Sequence, residues 1–446
     1  MQVLALDIGT SSVRAGRFDA SAAESASPAK RRYAGEMDPD RLVDAVRDAL
    51  DEAGGARGVD AVGASCFGHS LLALDASGRP LTPLLGWRDR RSADAADGLA
   101  ARLDDDAVHS RTGCHIHTSY WPAKLAWLAE EQPEAFRAAR RFASFCDYLY
   151  RRLLGRDVGS SLSMASATGL LDLRTRRWDE ELLQTLAVDA EQLPAIEDEP
   201  VDGWLPAALD GACSNVGAGC VTRDRAALMI GTSGAFRTVY ETSEPEPRTG
   251  LFLHWLDERR VVEGGSLSDG GGLPSWLAHT LRDADGSLAD RDPDSHGLTF
   301  LTLLGGERSP GWHQHATGAI AGLTFETTPL DIRQAALEGV AFRFAEIAER
   351  MPEVREIVAT GGALLHDPDW LQIVADALGR PVTTSGVEEA SLRGAAVLAL
   401  ELLGQKPASA AVRATVEPRP DRAAAYGRAR DRQRRLYEAV TSAPTS

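Results

Sequence analysis

The stretch VLALDIGTSSVRAG, residues 3–16, guides the interpretation of the whole chain. An apolar run of strand length carries Asp7 near its end, a Gly-Thr-Ser-Ser turn follows, and a second short apolar run returns, which predicts a β-hairpin. Small residues in the turn leave backbone amides and hydroxyls accessible to a polyanion. Asp7 would repel a phosphate, but it could hold a Mg²⁺ that bridges to one. An ordinary hairpin is the alternative interpretation.

The turn occurs a second time, half a chain later. The stretch LMIGTSGAFR, residues 228–237, again carries an apolar run into Ile-Gly-Thr-Ser, but Met229 stands where Asp7 stood. This repetition predicts two similar lobes, residues 1–222 and 223–446, that face each other across a cleft. One lobe would hold a metal and the other would cradle phosphate.

Composition narrows the class of protein. The chain of 446 residues is 43% hydrophobic and 25% charged, as globular proteins are. Its net charge of −17 argues against nucleic acid or an anionic membrane as the main partner. Five scattered cysteines, no basic leader and no apolar run of membrane-spanning length predict reduced thiols in a cytoplasmic protein.

Polar side chains follow two predicted strands in the first half. His69 comes after the strand at 59–65, and Trp87 and Asp89 come after the next one. Trp offers an apolar face to C–H groups, while His and Asp offer directional hydrogen bonds, so the three could converge on a polyhydroxylated ligand. A core histidine and a surface Arg-Asp cluster are the alternative.

Two further segments carry a family resemblance. The segment GCHIHTSYWPAKLAWL, residues 113–128, becomes a helix at a proline typical of a first helical turn. With the opening stretch, it resembles the first signature of the FGGY family of carbohydrate kinases. The residues that fit this signature are Tyr120, Pro122, Lys124 and Trp127. Residues 318–338 match the second signature, and GERSPGW, residues 306–312, is similar to the family's Gly-Glu-Arg-x-Pro segment. The likeness covers nearly the whole chain.

The resemblance implies a two-lobe α/β fold of the actin-like, ribonuclease-H-like kind, with ATP and Mg²⁺ as cofactors. The segment LDGACSNVGAG, residues 209–219, resembles the family segment whose Asp is the general base, which implies that role for Asp210. Phosphoryl transfer needs an oriented hydroxyl, a nearby proton acceptor and positive charge around the transferred group. A simple helix N-cap is the alternative for Asp210.

The other expected site residues fall into three groups. Asp7 is the metal ligand. The expected phosphate-side and adenosine-side contacts are Gly9, Thr10, Ser11, Arg14, Gly231, Thr232, Ser233, Gly361, Gly362 and Ala363. The expected substrate contacts are His69, Trp87, Asp89, Asp210 and Asp269. The glycine-rich stretch around Asp269 could equally be a plain loop. Asp367 departs from the family, where Ser is common.

The expected reaction is ATP-dependent phosphorylation of a terminal hydroxyl on a small sugar or sugar acid. Residues 68–75, 112–117 and 164–170 are similar to gluconokinase-type members, so gluconate is the leading candidate. Cations expected near its carboxylate are His69, Arg88, Arg90, Arg91, His115 and His117. Arg90 and Arg91 could instead pair with Asp89 or Asp94 on the surface.

Other functions stay open at this stage. A ketose or polyol kinase of the same family is the main alternative, and a non-catalytic sugar-sensing protein or an actin-like ATPase is a weaker one. No Gly-x-x-x-x-Gly-Lys-Ser/Thr motif occurs, which excludes a P-loop enzyme. The oligomeric state is undecided, with a homodimer as one possibility.

Overall fold

A hairpin at the N-terminus begins the first of two sheets. The computed structural model describes residues 1–33, 35, 37–231, 233–282, 286–289 and 291–442. Strand β1 (Gln2–Ile8) pairs antiparallel with β2 (Ser12–Asp19), with Asp7 opposite Arg14 and Ile8 opposite Val13. The predicted hairpin is confirmed, and every residue of β1 after Gln2 is buried.

The first half continues with alternating strands and helices. After β2 come β3 (Ala29–Arg32), α1 (Pro39–Glu52), β4 (Ala61–Cys66), β5 (Leu72–Leu74), α2 (Ala93–Ala100), α3 (Asp105–Thr112), α4 (Trp121–Glu131), α5 (Pro133–Ala138), β6 (Arg141–Ala143), α6 (Phe145–Leu154), α7 (Leu162–Ser166), β7 (Leu171–Asp172), β8 (Arg177–Trp178), α8 (Glu180–Leu186), β9 (Ala208–Leu209) and α9 (Asp210–Gly217). Asp38 caps α1 by accepting from the amides of Asp40 and Arg41.

The second half follows the same plan. Its elements are β10 (Arg225–Ile230), β11 (Gly234–Glu241), β12 (Phe252–Trp255), β13 (Arg260–Leu267), α10 (Gly272–Thr280), β14 (Thr299–Leu301), β15 (Ala319–Ala321), α11 (Pro329–Glu349), β16 (Glu356–Thr360), α12 (Gly362–Leu365), α13 (Pro368–Leu378), β17 (Val382–Ser385), α14 (Ala390–Leu402), β18 (Val412–Val416) and α15 (Ala423–Thr441). Among the described residues, no helix is both long and apolar enough to cross a membrane.

The two main sheets repeat one topology. The first has the order β3-β2-β1-β4-β9, and the second has the order β12-β13-β11-β10-β16-β17-β18. In each, a hairpin (β1–β2 or β10–β11) is flanked by a parallel strand (β4 or β16), and a second parallel strand follows (β9 or β17). This repeat agrees with the predicted α/β fold, and it explains why the Gly-Thr-Ser turn recurs.

Helices α9 and α14 join the two halves. Each follows the last parallel strand of its sheet, and glycines let the helices approach closely: a Cβ on Gly217 would lie 1.8 Å from the Ala390 carbonyl oxygen, and one on Gly394 would lie 1.9 Å from that of Cys213. Leu392 and Leu400 of α14 belong to the same buried cluster as β1 and β4. The exact domain boundary at residues 222/223 stays a prediction.

Candidate active site

A cavity lies between the two halves of the chain. The first half contributes His69, Trp87, Tyr120 and Asp210 to its lining. The residues that the second half contributes include Met229, Ser233, Arg237, His254, Arg308 and Trp312. Aromatic faces, imidazoles and charged groups meet here, which is the chemistry that a polyhydroxylated ligand requires.

Asp210 lies at the start of α9, directly after β9, and its side chain faces this cavity. Its Oδ1 accepts a hydrogen bond from the Gly211 amide at 2.7 Å. Leu209, not Asp210, occupies the N-cap position of α9, so the simple cap interpretation is wrong. Burial raises the pKa of Asp210, while Arg237 and Arg308 act in the opposite direction.

Asp7 lies at the end of β1, where it neighbours β4. Its Oδ1 accepts from the Ser65 hydroxyl at 3.1 Å, and its Oδ2 lies 3.2 Å from Nη1 of Arg14. Burial raises the pKa of Asp7 to about 6; Arg14 opposes this rise, while the charges of Asp210 and Glu389 add to it. Arg14 pairs with both Asp7 and Glu389, because its Nε lies 2.7 Å from Oε1 of Glu389. A buried carboxylate that feels the negative charge of two others is a suitable ligand for a divalent cation.

Two equivalent turns follow β1 and β10. The Gly9 amide donates to the Ser12 carbonyl at 3.0 Å, and the Gly231 amide donates to the Ser233 carbonyl at 3.0 Å. Thr10 and Ser11 are exposed, so the first turn presents its hydroxyl side chains to solvent. Thr232 lies outside the described residues.

A third and a fourth turn pack against the one after β10. The Gly271 amide donates to the Gly231 carbonyl at 2.6 Å. Gly361 has φ 84°, and a Cβ there would lie 2.4 Å from the Ile230 carbonyl oxygen, so glycine is required on both counts. A Cβ on Gly271 would likewise lie 2.7 Å from Cβ of Ala363. The expected residues Gly231, Ser233, Gly361, Gly362 and Ala363 thus lie together at the ends of β10 and β16.

His69 is a hydrogen-bond acceptor toward the cavity. It has φ 64°, and its Nδ1 lies 2.6 Å from the Ala167 carbonyl oxygen. A carbonyl can only accept, so Nδ1 carries the proton and Nε2 has the free lone pair. Burial lowers the pKa of His69 well below its ordinary value, so the ring is neutral at pH 7. Lys124 fixes this loop, because its buried amine donates to the His69 and Ser119 carbonyls.

Several expected contacts lie outside the cavity lining. Asp89 is paired with Arg91 at 2.5 Å. Asp269 accepts from the amides of Leu304 and Gly305 at 3.1 and 3.2 Å, and burial raises its pKa to about 7. Asp367 caps α13 by accepting from the Trp370 amide. Roles for Asp89 and Asp269 in binding stay predictions.

Two arginines in the lining were not among the expected site residues. Arg237 and Arg308 are 7% and 8% exposed. Within the described residues, Nε and Nη2 of Arg237 and Nε of Arg308 have no hydrogen-bond partner. The signals were present in the sequence: Arg237 interrupts an apolar strand, and Arg308 belongs to the segment at 306–312.

Comparison with known proteins agrees with this geometry. Residues 2–199 match the model of the N-terminal domain of the FGGY family of carbohydrate kinases, and residues 226–401 match that of its C-terminal domain. The chain is 29% identical to a gluconokinase of Bacillus subtilis, over 76% of this chain and 73% of that protein. It is also 29% identical to a xylulose kinase of Escherichia coli, over 90% of each chain.

A solved structure supports the same assignment. The crystal structure of gluconate kinase from Lactobacillus acidophilus superposes with a TM-score of 0.88 and 27% identity, covering 99% of this chain and 98% of that one. Both domain models and this fold extend over most of the sequence. The chain therefore belongs to the FGGY family of carbohydrate kinases, which transfer phosphate to an alcohol group.

Proposed function

We propose that this kinase phosphorylates the terminal hydroxyl of a small sugar acid, with gluconate as the best candidate, and that Asp210 is the general base. The observation that carries the proposal is the half-buried Asp210 carboxylate in the wall of the interlobe cavity, near two buried arginines that act on its charge. Phosphoryl transfer requires this combination of a proton acceptor and positive charge.

Asp210 accepts the proton of the reacting hydroxyl. Because Oδ1 is occupied by the Gly211 amide, Oδ2 is the atom that takes this proton. Burial raises the pKa of the carboxyl and so makes it a stronger base, while Arg237 and Arg308 keep the ionised form accessible. As the proton passes to Asp210, the oxygen of the hydroxyl bonds to the γ-phosphorus of ATP, the bond from that phosphorus to the bridging oxygen breaks, and ADP leaves.

ATP is the phosphate donor, and it would bind to the turns that follow strands of both sheets. Residues 9–11 and 231–233 would face the phosphates, and residues 361–363 would contact the adenosine. Asp7 would hold Mg²⁺; its burial among the charges of Asp210 and Glu389 fits a divalent cation, which would neutralise the phosphate charge. Arg14 orients Asp7 through the Nη1–Oδ2 contact.

The identity of the substrate is the most specific part of the proposal. Similarity to a gluconokinase and to a gluconate kinase structure supports a sugar acid. The neutral His69 ring, with Nε2 as an acceptor, suits a substrate hydroxyl. The competing candidate is a ketose or polyol kinase, favoured by equal identity to a xylulose kinase over a larger share of the chain. Asp7 and Asp210 together argue against a non-catalytic sensor.

The test is ADP release, measured by a coupled assay, against a panel of aldonates, ketoses and polyols. Gluconate should give the highest kcat/KM, and its phosphate should appear at the terminal carbon. A ketose or polyol that exceeds gluconate would move the assignment to the competing candidate. No ADP release above the ATPase background with any member of the panel would contradict a sugar kinase of this substrate range.

A further inference from the structure

Glu389 occupies the N-cap position of helix α14 but does not cap the helix. Ser, Thr, Asp and Asn are preferred at this position, because their side chains accept hydrogen bonds from the first backbone amides. Within the described part of the chain, the Glu389 side chain accepts no capping hydrogen bond. A carboxylate at the start of α14 is therefore available to another partner.

That partner is Arg14 on β2. The Nε atom of Arg14 lies 2.7 Å from Oε1 of Glu389, which is closer than the 3.2 Å between Nη1 of Arg14 and Oδ2 of Asp7. Lys30, which lies opposite Arg14 on β3, has its Nζ 3.9 Å from the same Oε1. Glu389 thus receives two cations from the first sheet, although it belongs to the second half of the chain.

Close packing of α14 on the first sheet fixes this contact. A Cβ on Gly16 would lie 3.3 Å from Cδ2 of Leu392 in the first turn of α14, and a Cβ on Gly63 would lie 2.3 Å from a carbonyl oxygen of the same helix. Gly16 and Arg14 are two residues apart on β2, so they lie on the same face of the sheet. The position of Glu389 beside Arg14 is therefore determined by the packing of the backbone.

Arg14 and a divalent cation compete for the Asp7 carboxylate. The Oδ2 atom of Asp7 accepts from Arg14, and a positive charge in contact with this carboxylate repels a metal ion that approaches it. Glu389 offsets that charge, since Asp7, Arg14 and Glu389 together are negative, whereas Asp7 and Arg14 alone are neutral. The charge of Glu389 reaches Asp7, because it contributes to the raised pKa of that residue. The three side chains are mostly buried, so solvent screens these charges incompletely.

We propose that Glu389 is a positioning residue of the metal site: it holds the Arg14 guanidinium and thereby leaves the Asp7 carboxylate available to Mg²⁺. This inference rests on the proposed function, because it assumes that Asp7 holds the metal. It assigns part of the metal site to the second half of the chain. It also explains how a metal ligand can lie in contact with an arginine.

The test measures nucleotide binding without turnover and without sugar. A non-hydrolysable ATP analogue is titrated calorimetrically in Mg²⁺ and again in EDTA, and the ratio of the two dissociation constants gives the gain in affinity due to the metal. E389Q should lower this gain roughly 5- to 20-fold, because Arg14 would then pair with Asp7 alone. E389D keeps the charge but is one methylene shorter, so it should lose the contact with Arg14 and most of the gain as well. The affinity in EDTA should change less than about threefold in both variants.

Glu388 supplies a matched control. Its side chain is 84% exposed and lies 3.7 Å from Arg413. E388Q removes the same charge one residue away and should leave the gain unchanged. A second control is the R14Q background, where E389Q should change the gain less than about twofold, because Glu389 acts through Arg14.

The outcomes separate this inference from the proposed function. An equal loss on E389Q in wild type and in R14Q would mean that Glu389 acts on the metal itself and would overturn the positioning role. A wild-type gain in E389D, or the same loss in E388Q, would overturn it too. If E389Q does not fold, as judged by circular dichroism, E389D carries the test. If D7N lowers the gain and E389Q does not, only this inference is wrong; if D7N leaves the gain unchanged, the metal role of Asp7 is wrong and the inference with it.

Discussion

Replacing Asp7 by Asn should change how the stability of the protein depends on pH. Burial raises the pKa of Asp7 from 3.8 to about 6, and the residue is 7% exposed. The folded protein therefore binds an extra proton between these two values, and the stability that this proton supplies is lost as the pH rises through 6. At ~1.4 kcal/mol per pKa unit, the full effect is about 3 kcal/mol.

The pH dependence of this stability difference can be measured between pH 5 and pH 8. Over this range the linkage relation gives a loss of roughly 1 kcal/mol in wild type relative to D7N, because Asn cannot ionise. The free energy of unfolding, measured by urea denaturation at several pH values, should show the difference between D7N and wild type growing by this amount and levelling off above pH 7. Carboxyl groups distant from Asp7 titrate alike in both proteins and cancel in the difference, whereas Asp210 and Glu389 are coupled to Asp7.

Asp75 provides the control, and Mg²⁺ provides the link to function. Hydrogen bonds from Ser77 and Arg79 hold the pKa of Asp75 low, so the difference between D75N and wild type should stay constant from pH 5 to pH 8. Mg²⁺ with a non-hydrolysable ATP analogue should stabilise wild type more than D7N at pH 8. A difference between D7N and wild type that does not vary with pH would refute the burial argument, and equal stabilisation by Mg²⁺ would refute the metal role.

Three further substitutions test other parts of the molecule. D210N should keep nucleotide affinity, measured by calorimetry, while kcat falls by roughly 10²–10⁴; near-normal turnover would remove Asp210 as the base. K124M should raise the KM for the sugar about tenfold and leave the KM for ATP unchanged, because the His69 and Ser119 carbonyls lose their hydrogen-bond donor. A matching change in the KM for ATP would argue against a role of Lys124 that is limited to the sugar site. G394A should lower the free energy of unfolding by about 1–3 kcal/mol, whereas G98A, where a Cβ meets nothing within 4 Å, should not lower it. Similar effects of the two substitutions would contradict the close contact between α9 and α14.

The parts of the site that depend on local sequence could be predicted. The hairpin at residues 3–16, its repeat at 228–237 and the helix that starts at Asp210 are each determined by a short run of neighbouring residues. The family resemblance rests on the same short motifs. The repeated topology of the two sheets follows from these elements, since a duplicated hairpin leads into a duplicated parallel strand.

The partners of charged side chains could not be predicted from the sequence. The sequence offered six cations at residues 69–117 and suggested surface pairing with Asp89 or Asp94 for Arg90 and Arg91. In the structure long-range contacts decide which of them are engaged, since Arg90 donates to the Gln314 carbonyl, 224 positions away. Arg308 and Arg237 reach the cavity only because the second sheet faces the first. The position of α14 in the core of the first half is likewise set by packing between halves, since its own sequence of small residues would suit either side.

The two hairpins also show why a repeated motif can support different roles. In the first, Asp7 lies opposite Arg14, and in the second the equivalent positions hold Met229 opposite Ala235. An apolar pair thus stands in the second hairpin where the first has an acid and a base, so these two positions need no counterion there. Met229 lines the cavity, where a second carboxylate would repel both the phosphates and Asp210. Because only the first hairpin carries the acid, the turn of the second hairpin can approach a polyanion through neutral groups. Phosphoryl transfer across a cleft needs this difference between the two sides.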